Sequence, residues 1–206
     1  MPASTRRVSL HALRRSAVAC ALALGGAFAS GTAFAFDLAQ LAAQLARVPA
    51  GEATFVEKRR VEMLDRTIES AGKLSFKAPD TFVRETTSPR REVLTVTGNT
   101  LSMTVAGRAR TMQLDALPEA AVVVEAIRGV LTGNRATLER VFAATVGGDP
   151  KRWTLDLVPR DARLRGQVAS IRVAGGGAVV REVQILLADG DRSTMSIEPL
   201  VPTPAR

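Results

Sequence analysis

Of the 206 residues, the only Cys, Cys20, and the only His, His11, both fall within the first 35. Once those residues are removed, as argued below, thiol and imidazole nucleophiles, disulfides and Cys/His metal sites are all out of reach. The side chains left for chemistry are Ser, Thr, Lys, Asp, Glu and Arg. The best carboxylates on offer, Glu57, Glu85 and Asp156, are scattered along the chain. Glycosyl transfer needs two carboxylates converging in a polar cleft with sugar-stacking aromatics, and this chain has one Trp and no Tyr. The residues therefore read as a non-enzyme with no cofactor. Gly175-Gly176-Gly177 has no Lys-Ser/Thr after it and opens a strand, so it reads as a hairpin turn and not as a phosphate loop. Asp189-Gly190-Asp191 is not continued by further acidic ligands, and Asp-Gly is a hairpin dipeptide.

The segment Met1 to Ala35 has the three parts of a secretory signal: a basic region ending at Arg15, an apolar run from Ala17 to Ala29, and Ala33-Phe34-Ala35 before a cleavage site. The apolar run is broken by Gly and falls far short of the ~20 residues that span a bilayer. Cys20 sits inside that run behind Ala17-Val18-Ala19, without a Leu-led lipidation motif, and would be discarded. Cleavage leaves 171 residues beginning at Phe36, with a charge of +4 in place of the whole chain's +8, because the leader holds four Arg and no acid. With an aromatic content of 4% and Arg spread through many segments, that remainder does not read as a nucleic-acid binder. A mild positive surface suits anionic lipid headgroups better. An exported chain without disulfides must be held by a core, which a single domain over 36–198 can supply, followed by an extended tail at 199–206.

The elements follow from periodicity. Leu38, Leu41, Leu45 and Val48 are spaced for a helix over 37–48, with Asp37 as its cap and Pro49-Ala50-Gly51 as its stop. Six β-type runs follow, at 52–64, 67–77, 81–87, 91–97, 100–106 and 108–114. Leu101, Met103 and Val105 alternate with Ser102 and Thr104, and Gly98-Asn99 and Gly107-Arg108 mark hairpins on either side. The first run carries the sequence EKRRVE from Glu57 to Glu62, which reads as a solvated face. Pro118 opens a helix to Leu131, and Gly133-Asn134 precedes a shorter one over 136–142. In the longer helix Val122, Val123, Val124, Ile127, Val130 and Leu131 cover more than half the circumference. Such a helix is either buried on both sides or faces an apolar ligand. Four strands close the chain, at 152–158, 168–174, 178–188 and 192–198. In the first of these Trp153, Leu155 and Leu157 alternate with Thr154, Asp156 and Val158.

One helix, six strands, two helices and four strands make a mainly β protein with a large antiparallel sheet and no βαβ units. About ten strands in one sheet tend to curl, and the concave face must be filled or capped by the helices. Branched and flexible apolar residues far outnumber aromatics, which suits either an ordinary core or a cavity that adapts to acyl chains.

Within this pattern the stretch from Ala53 to Asn99 reads Ala53-Thr54-Phe55-Val56-Glu57-Lys58, then Ser70-Ala71-Gly72-Lys73-Leu74-Ser75-Phe76-Lys77-Ala78-Pro79, Phe82 and Thr97-Gly98-Asn99. It resembles the outer-membrane lipoprotein carrier family LolA, whose N-terminal half runs small-x-Phe-x-Gln-x, then Gly-x-Leu-x-aromatic-x-x-Pro-x-x-Phe and a Gly-containing hairpin. The order of elements matches that family across almost the whole mature chain. The resemblance implies an incomplete antiparallel β-barrel, a half-barrel with helices as a lid over an apolar cavity, carrying acylated cargo across the periplasm. On that basis Phe55, Leu74, Phe76, Phe82, Leu101, Met103, Trp153 and Leu155 from the strands, with Val123, Ile127 and Leu131 from the helix, line or cover the cavity. Two positions depart from the pattern. Glu57 stands where the family commonly has Gln, and Ala78 stands where it commonly has an Arg before the Pro. That Arg is tied in the family to the closed lid and to passing cargo onward. Arg84, two residues after Phe82, is the candidate polar gate in its place; an ordinary strand Arg there would be exposed.

The resemblance thus implies a monomeric periplasmic carrier or chaperone for lipoproteins or another lipid-linked product bound for the outer membrane. It would work between an inner-membrane donor and an outer-membrane acceptor, with no metal and no catalysis. The alternative on the same fold is a regulatory protein that senses lipid.

Overall fold

The computed structural model describes residues 36–200; the leader expected at 1–35 and residues 201–206 of the expected tail lie outside the described residues. The chain begins with α1 (Leu38–Leu45), followed by β1 (Ala50–Val61), β2 (Arg66–Lys77), β3 (Thr81–Ser88), β4 (Glu92–Thr97), β5 (Thr100–Val105) and β6 (Arg108–Gln113). Two helices come next, α2 (Pro118–Leu131) and α3 (Arg135–Val141). The remainder is β7 (Phe142–Asp149), β8 (Arg152–Pro159), the one-turn α4 (Ala162–Arg165), β9 (Val168–Gly176), β10 (Val179–Leu187) and β11 (Arg192–Pro199).

All eleven strands form one antiparallel sheet in the order β6-β5-β4-β3-β2-β1-β11-β10-β9-β8-β7. The first and last strands meet in its middle, where β1 pairs with β11, and β6 and β7 are the two free edges, so the sheet is open and not a closed barrel. It is nonetheless curled. Leu101 on β5 and Val173 on β9 line the same cavity. Their strands are seven steps apart in the sheet, which at ~4.8 Å per step would put them about 34 Å apart on a flat surface.

Several elements differ from the sequence reading. Asp37 caps α1 through its side chain on the Gln40 amide at 2.8 Å, and Gln40 returns the contact, but the helix stops at Leu45. Val48 precedes Pro49, and a residue before proline is pushed out of the helical region. Phe142, placed at the end of a helix by its apolar spacing, instead opens β7. That strand was not anticipated, because Ala143-Ala144-Thr145 and Gly147-Gly148 carry little of the branched or aromatic character that marks strands. Likewise α4, capped by Asp161 through the Arg163 amide at 2.7 Å, occupies a stretch that periodicity left unassigned. Pro199, expected in the tail, is the last residue of β11.

The main core lies on the concave side over β7, β8 and β9. Leu41 and Leu45 of α1, Val122, Ala126 and Val130 of α2, and Leu138 of α3 close on Phe142, Trp153, Leu155, Leu157, Val168, Ile171 and Val173. Two glycines allow this closeness. Gly133, at φ +61°, lies in the turn after α2, and a Cβ there would come within 2.1 Å of the Ala42 carbonyl oxygen of α1. A Cβ on Gly175 would sit 2.6 Å from Cζ2 of Trp153, so the indole packs flat on backbone. The turn after it takes two side-chain donors, because the Gly177 carbonyl accepts Trp153 Nε1 at 2.9 Å and also Gln44 Nε2. A smaller cluster of Val96, Leu101 and Leu114 packs against Leu117, Ala120, Ala121 and Val124 near the start of α2.

Candidate functional site

Between these two clusters the concave face is not filled. A cavity of about 820 Å³ remains, within the ~300–1,000 Å³ range of small-molecule sites. Its floor is the inward row of the central strands, and its roof is α2. The helix divides its apolar surface by spacing. Val122 and Ala126 are buried in the main core and Val130 is buried at its border with the cavity, while Val123, which also touches the core, Ile127 and Leu131 face the cavity with Val124 and Ala120. Of the two readings the sequence left open for this helix, burial applies to one side, and the other side borders the cavity. Along β1 the cavity reaches from Gly51 to Arg59, a run of about 26 Å at ~3.3 Å per residue.

The strand register places a polar group within this apolar floor. Ala53, Phe55, Glu57 and Arg59 lie on one side of β1, opposite Leu74, Gly72, Ser70 and Ile68 of β2 and Pro199, Ile197, Met195 and Ser193 of β11. Lys58 and Arg60 point to the outer face, where Lys58 meets Glu69 at 3.4 Å and Arg60 meets Asp65 at 2.8 Å. The EKRRVE run is therefore not a solvated face throughout. It is split, because successive strand residues point to opposite sides. The Glu57 side chain is 14% exposed. Its Oε2 accepts from Arg84 Nη2 and from Ser70 Oγ at 3.2 Å, and its Oε1 accepts from Ser193 Oγ. Arg84 also donates to Ser70 Oγ at 3.2 Å, and its guanidinium lies 4.8 Å from the centroid of the Phe55 ring. A second pair closes the far end, where Asp191, 7% exposed, accepts from Arg59 Nη2 at 3.1 Å and from the Glu62 amide at 3.0 Å.

Eight of the residues expected at the site line the cavity: Leu74, Phe76, Phe82, Arg84, Leu101, Val123, Ile127 and Leu131. Four do not. Phe55 is buried beneath the Arg84 guanidinium. Met103 is on the inward face of β5, opposite Leu94 and Arg110, but outside the cavity lining. Trp153 and Leu155 are sealed in the main core beneath the helices. Arg84 is not the exposed strand Arg of the bland reading; its side chain is 27% exposed and faces the cavity. Residues that the sequence reading did not single out include Glu57 as a floor residue, Ser70, Ser193 and the Arg59–Asp191 pair. A usable signal was present, since Glu57 and Arg59 share the strand parity of Phe55.

The three carboxylates considered for catalysis do not converge. Glu57 faces the cavity, and Glu85 is bound by Arg91 at 2.9 Å. Asp156 is held by Arg172 on the outer face at 2.6 and 3.0 Å, and these bonds raise the Arg172 pKa above its ordinary value. No group of three or more potential metal ligands occurs among the described residues. No helix among them is long and apolar enough to cross a membrane.

Residues 30–197 match the family model described as outer membrane lipoprotein carrier protein LolA-like. No curated protein matches the chain. Solved structures to which it is similar include a LolA superfamily protein from Nitrosomonas europaea, at 10% identity and a TM-score of 0.45, covering 82% of this chain and 96% of that one. Another is a DUF1329 family protein from Desulfovibrio piger, at 8% identity and a TM-score of 0.47, covering 81% of this chain and 92% of the other. A third is LprF from Mycobacterium bovis, at 11% identity and a TM-score of 0.36, covering 82% and 97%. With its family match extending over most of its length, the chain belongs to the LolA-like outer membrane lipoprotein carrier family.

Proposed function

We propose that this protein is an exported periplasmic carrier that shields lipid acyl chains, as part of a lipoprotein or another lipid-linked product on its way to the outer membrane, and that it catalyses nothing. The observation that supports this reading is the cavity of about 820 Å³ under α2, roofed by Val123, Ile127 and Leu131 and floored by Leu74, Phe76, Phe82, Val183 and Ile185. The composition of Met1 to Ala35 supports export. Burial of an acyl chain is worth about 0.8 kcal/mol per CH₂, so a ~16-carbon chain brings roughly 12 kcal/mol gross before the costs of association. Capture needs no bond-making chemistry. Handover then depends on movement of α2 or on a membrane partner that competes for the chain.

The test is binding of a neutral fluorescent naphthylamine probe to recombinant mature protein. The expected result is a saturable blue shift of the probe's emission, reversed by long-chain lipids. Folded, monodisperse protein that leaves the probe unshifted overturns the carrier reading.

A further inference from the structure

The polar group on the cavity floor is unbalanced in one respect. Its carboxylate is well supplied: both oxygens of Glu57 are engaged, by Arg84, Ser70 and Ser193. Its donors are not. Arg84 spends only Nη2 on Glu57 and Ser70. Its Nε is buried and has no partner among the described residues. Its Nη1 makes no hydrogen bond to any described residue either, yet it is not sealed off as Nε is. A guanidinium carries five N–H donors in a fixed fork and cannot shed its charge to escape the cost of leaving them unmade. The surrounding lining of Leu74, Leu94, Met195 and Val183 offers no acceptor side chain.

The charge is balanced, however. Glu57 neutralises Arg84, and Asp191 neutralises Arg59. A free carboxylate brought to Arg84 would add a second anion beside Glu57 in a poorly solvated site, which is costly. A neutral acceptor takes up the accessible Nη1 donors without that cost, while the sealed Nε stays out of its reach.

We propose that Arg84 is a recognition residue for an uncharged carbonyl oxygen, the ester or amide carbonyl at the root of an acyl chain, with the chain itself lying on the apolar floor. The proposal rests on the carrier reading. It assigns Arg84 a contact to cargo, and it assigns Glu57 the task of excluding free fatty acid in favour of acyl groups already esterified or amidated.

The experiment compares methyl hexadecanoate, hexadecane and hexadecanoic acid as competitors for a neutral naphthylamine probe. The methyl ester is expected to displace the probe at about tenfold lower concentration than hexadecane, one charge-assisted hydrogen bond being worth at least that factor. Replacing both charges together, in Glu57→Gln/Arg84→Met, avoids stranding a buried ion and should bring the ester to within about twofold of hexadecane, with hexadecane itself unchanged. In Glu57→Gln alone the free acid should gain on the ester. Infrared spectra of ester with an isotope-labelled carbonyl supply a second readout, in which the bound carbonyl stretch moves to lower frequency in the wild type and not in the double variant. Fluorescence of Trp153, which does not line the cavity, checks that each variant is folded. Ester and hexadecane binding equally to the wild type overturns the assignment of Arg84 but leaves the carrier reading standing. A wild type that prefers the free acid overturns the role given to Glu57. Failure of all three competitors and of the probe overturns the carrier reading and the assignment with it.

Discussion

Two parts of the same sheet carry inward rows of similar chemistry and end in opposite states. On β8 and β9 the row Trp153, Leu155, Leu157 and Ile171 is at most 1% exposed. On β2, β3 and β4 the row Phe76, Phe82 and Leu94 is only partly buried, and together with Leu74 and Val96 it lines a cavity. The apolarity of the strands does not separate them. Coverage does: α1, α2 and α3 all contribute to the core over β7–β9, whereas of these α2 alone reaches β4 and β5, by Ala120, Ala121 and Val124 near its start and by Arg128 on the Gly98 carbonyl. An open, curled sheet of eleven strands offers more concave surface than three short helices can fill. The fold places the surplus where a ligand can complete the packing. One half holds the protein together, and the other is left unfinished.

The comparison can be broken most forcefully from the filled half. Trp153→Ala removes the largest fully buried side chain, its bond to the Gly177 carbonyl and its contact with Gly175. It should cost about 3–5 kcal/mol in urea unfolding. Probe binding by the fraction still folded should be unchanged, because Trp153 does not line the cavity. A proportionate loss of binding in folded protein would mean that the halves are one unit.

The open half should respond the other way. Ile127→Asp puts a carboxylate in the roof. Since a buried Ile side chain is worth about 1.5–3 kcal/mol in apolar contact, affinity for the neutral naphthylamine probe should fall roughly tenfold or more. Ile127 is only partly covered by protein, so stability should move by less than about 1 kcal/mol. A destabilisation matching that of Trp153→Ala would show that this face of α2 is structural.

How much of this was readable in advance follows from what a period of two can carry. Alternation at Leu101 and Met103, or at Trp153 and Leu155, correctly identifies the inward face, because strand geometry requires it. It does not say what stands opposite that face. Trp153 and Leu155 were therefore indistinguishable from Leu74 and Phe76 until the helices were placed. The charged run from Glu57 misled for the converse reason. Charge density marks a solvated face only when it occupies one parity, and here Glu57 and Arg59 share the parity of Phe55. Their partners Ser70, Arg84, Asp191 and Ser193 come from β2, β3 and the β10–β11 hairpin, so only the register could assemble them. The helix over 118–131 was the most informative segment, since an apolar surface wider than one core contact implied a second neighbour.

The smallest expected effect concerns the seam between the halves. The family pattern has an Arg before the proline, and Ala78 at that position carries no donor side chain. A tie between strand and helix exists all the same, made from the helix side. Arg128 of α2 donates from Nη2 to the Gly98 carbonyl in the β4–β5 turn at 2.7 Å, and from Nη1 to Glu125 at 2.6 Å. Gly98 is at φ +55°, a left-handed turn conformation that suits glycine. Arg128→Ala removes one charge-assisted bond from a side chain 23% exposed, and solvent screening should hold the loss to about 1 kcal/mol. Because the tie joins α2 to the open half and not to the packed one, its effect should be kinetic. Stopped-flow association of the probe should quicken several-fold, while equilibrium affinity changes by less than about threefold, since the cavity lining is otherwise intact. An unchanged association rate would show that α2 does not have to part from the β4–β5 turn to admit a ligand.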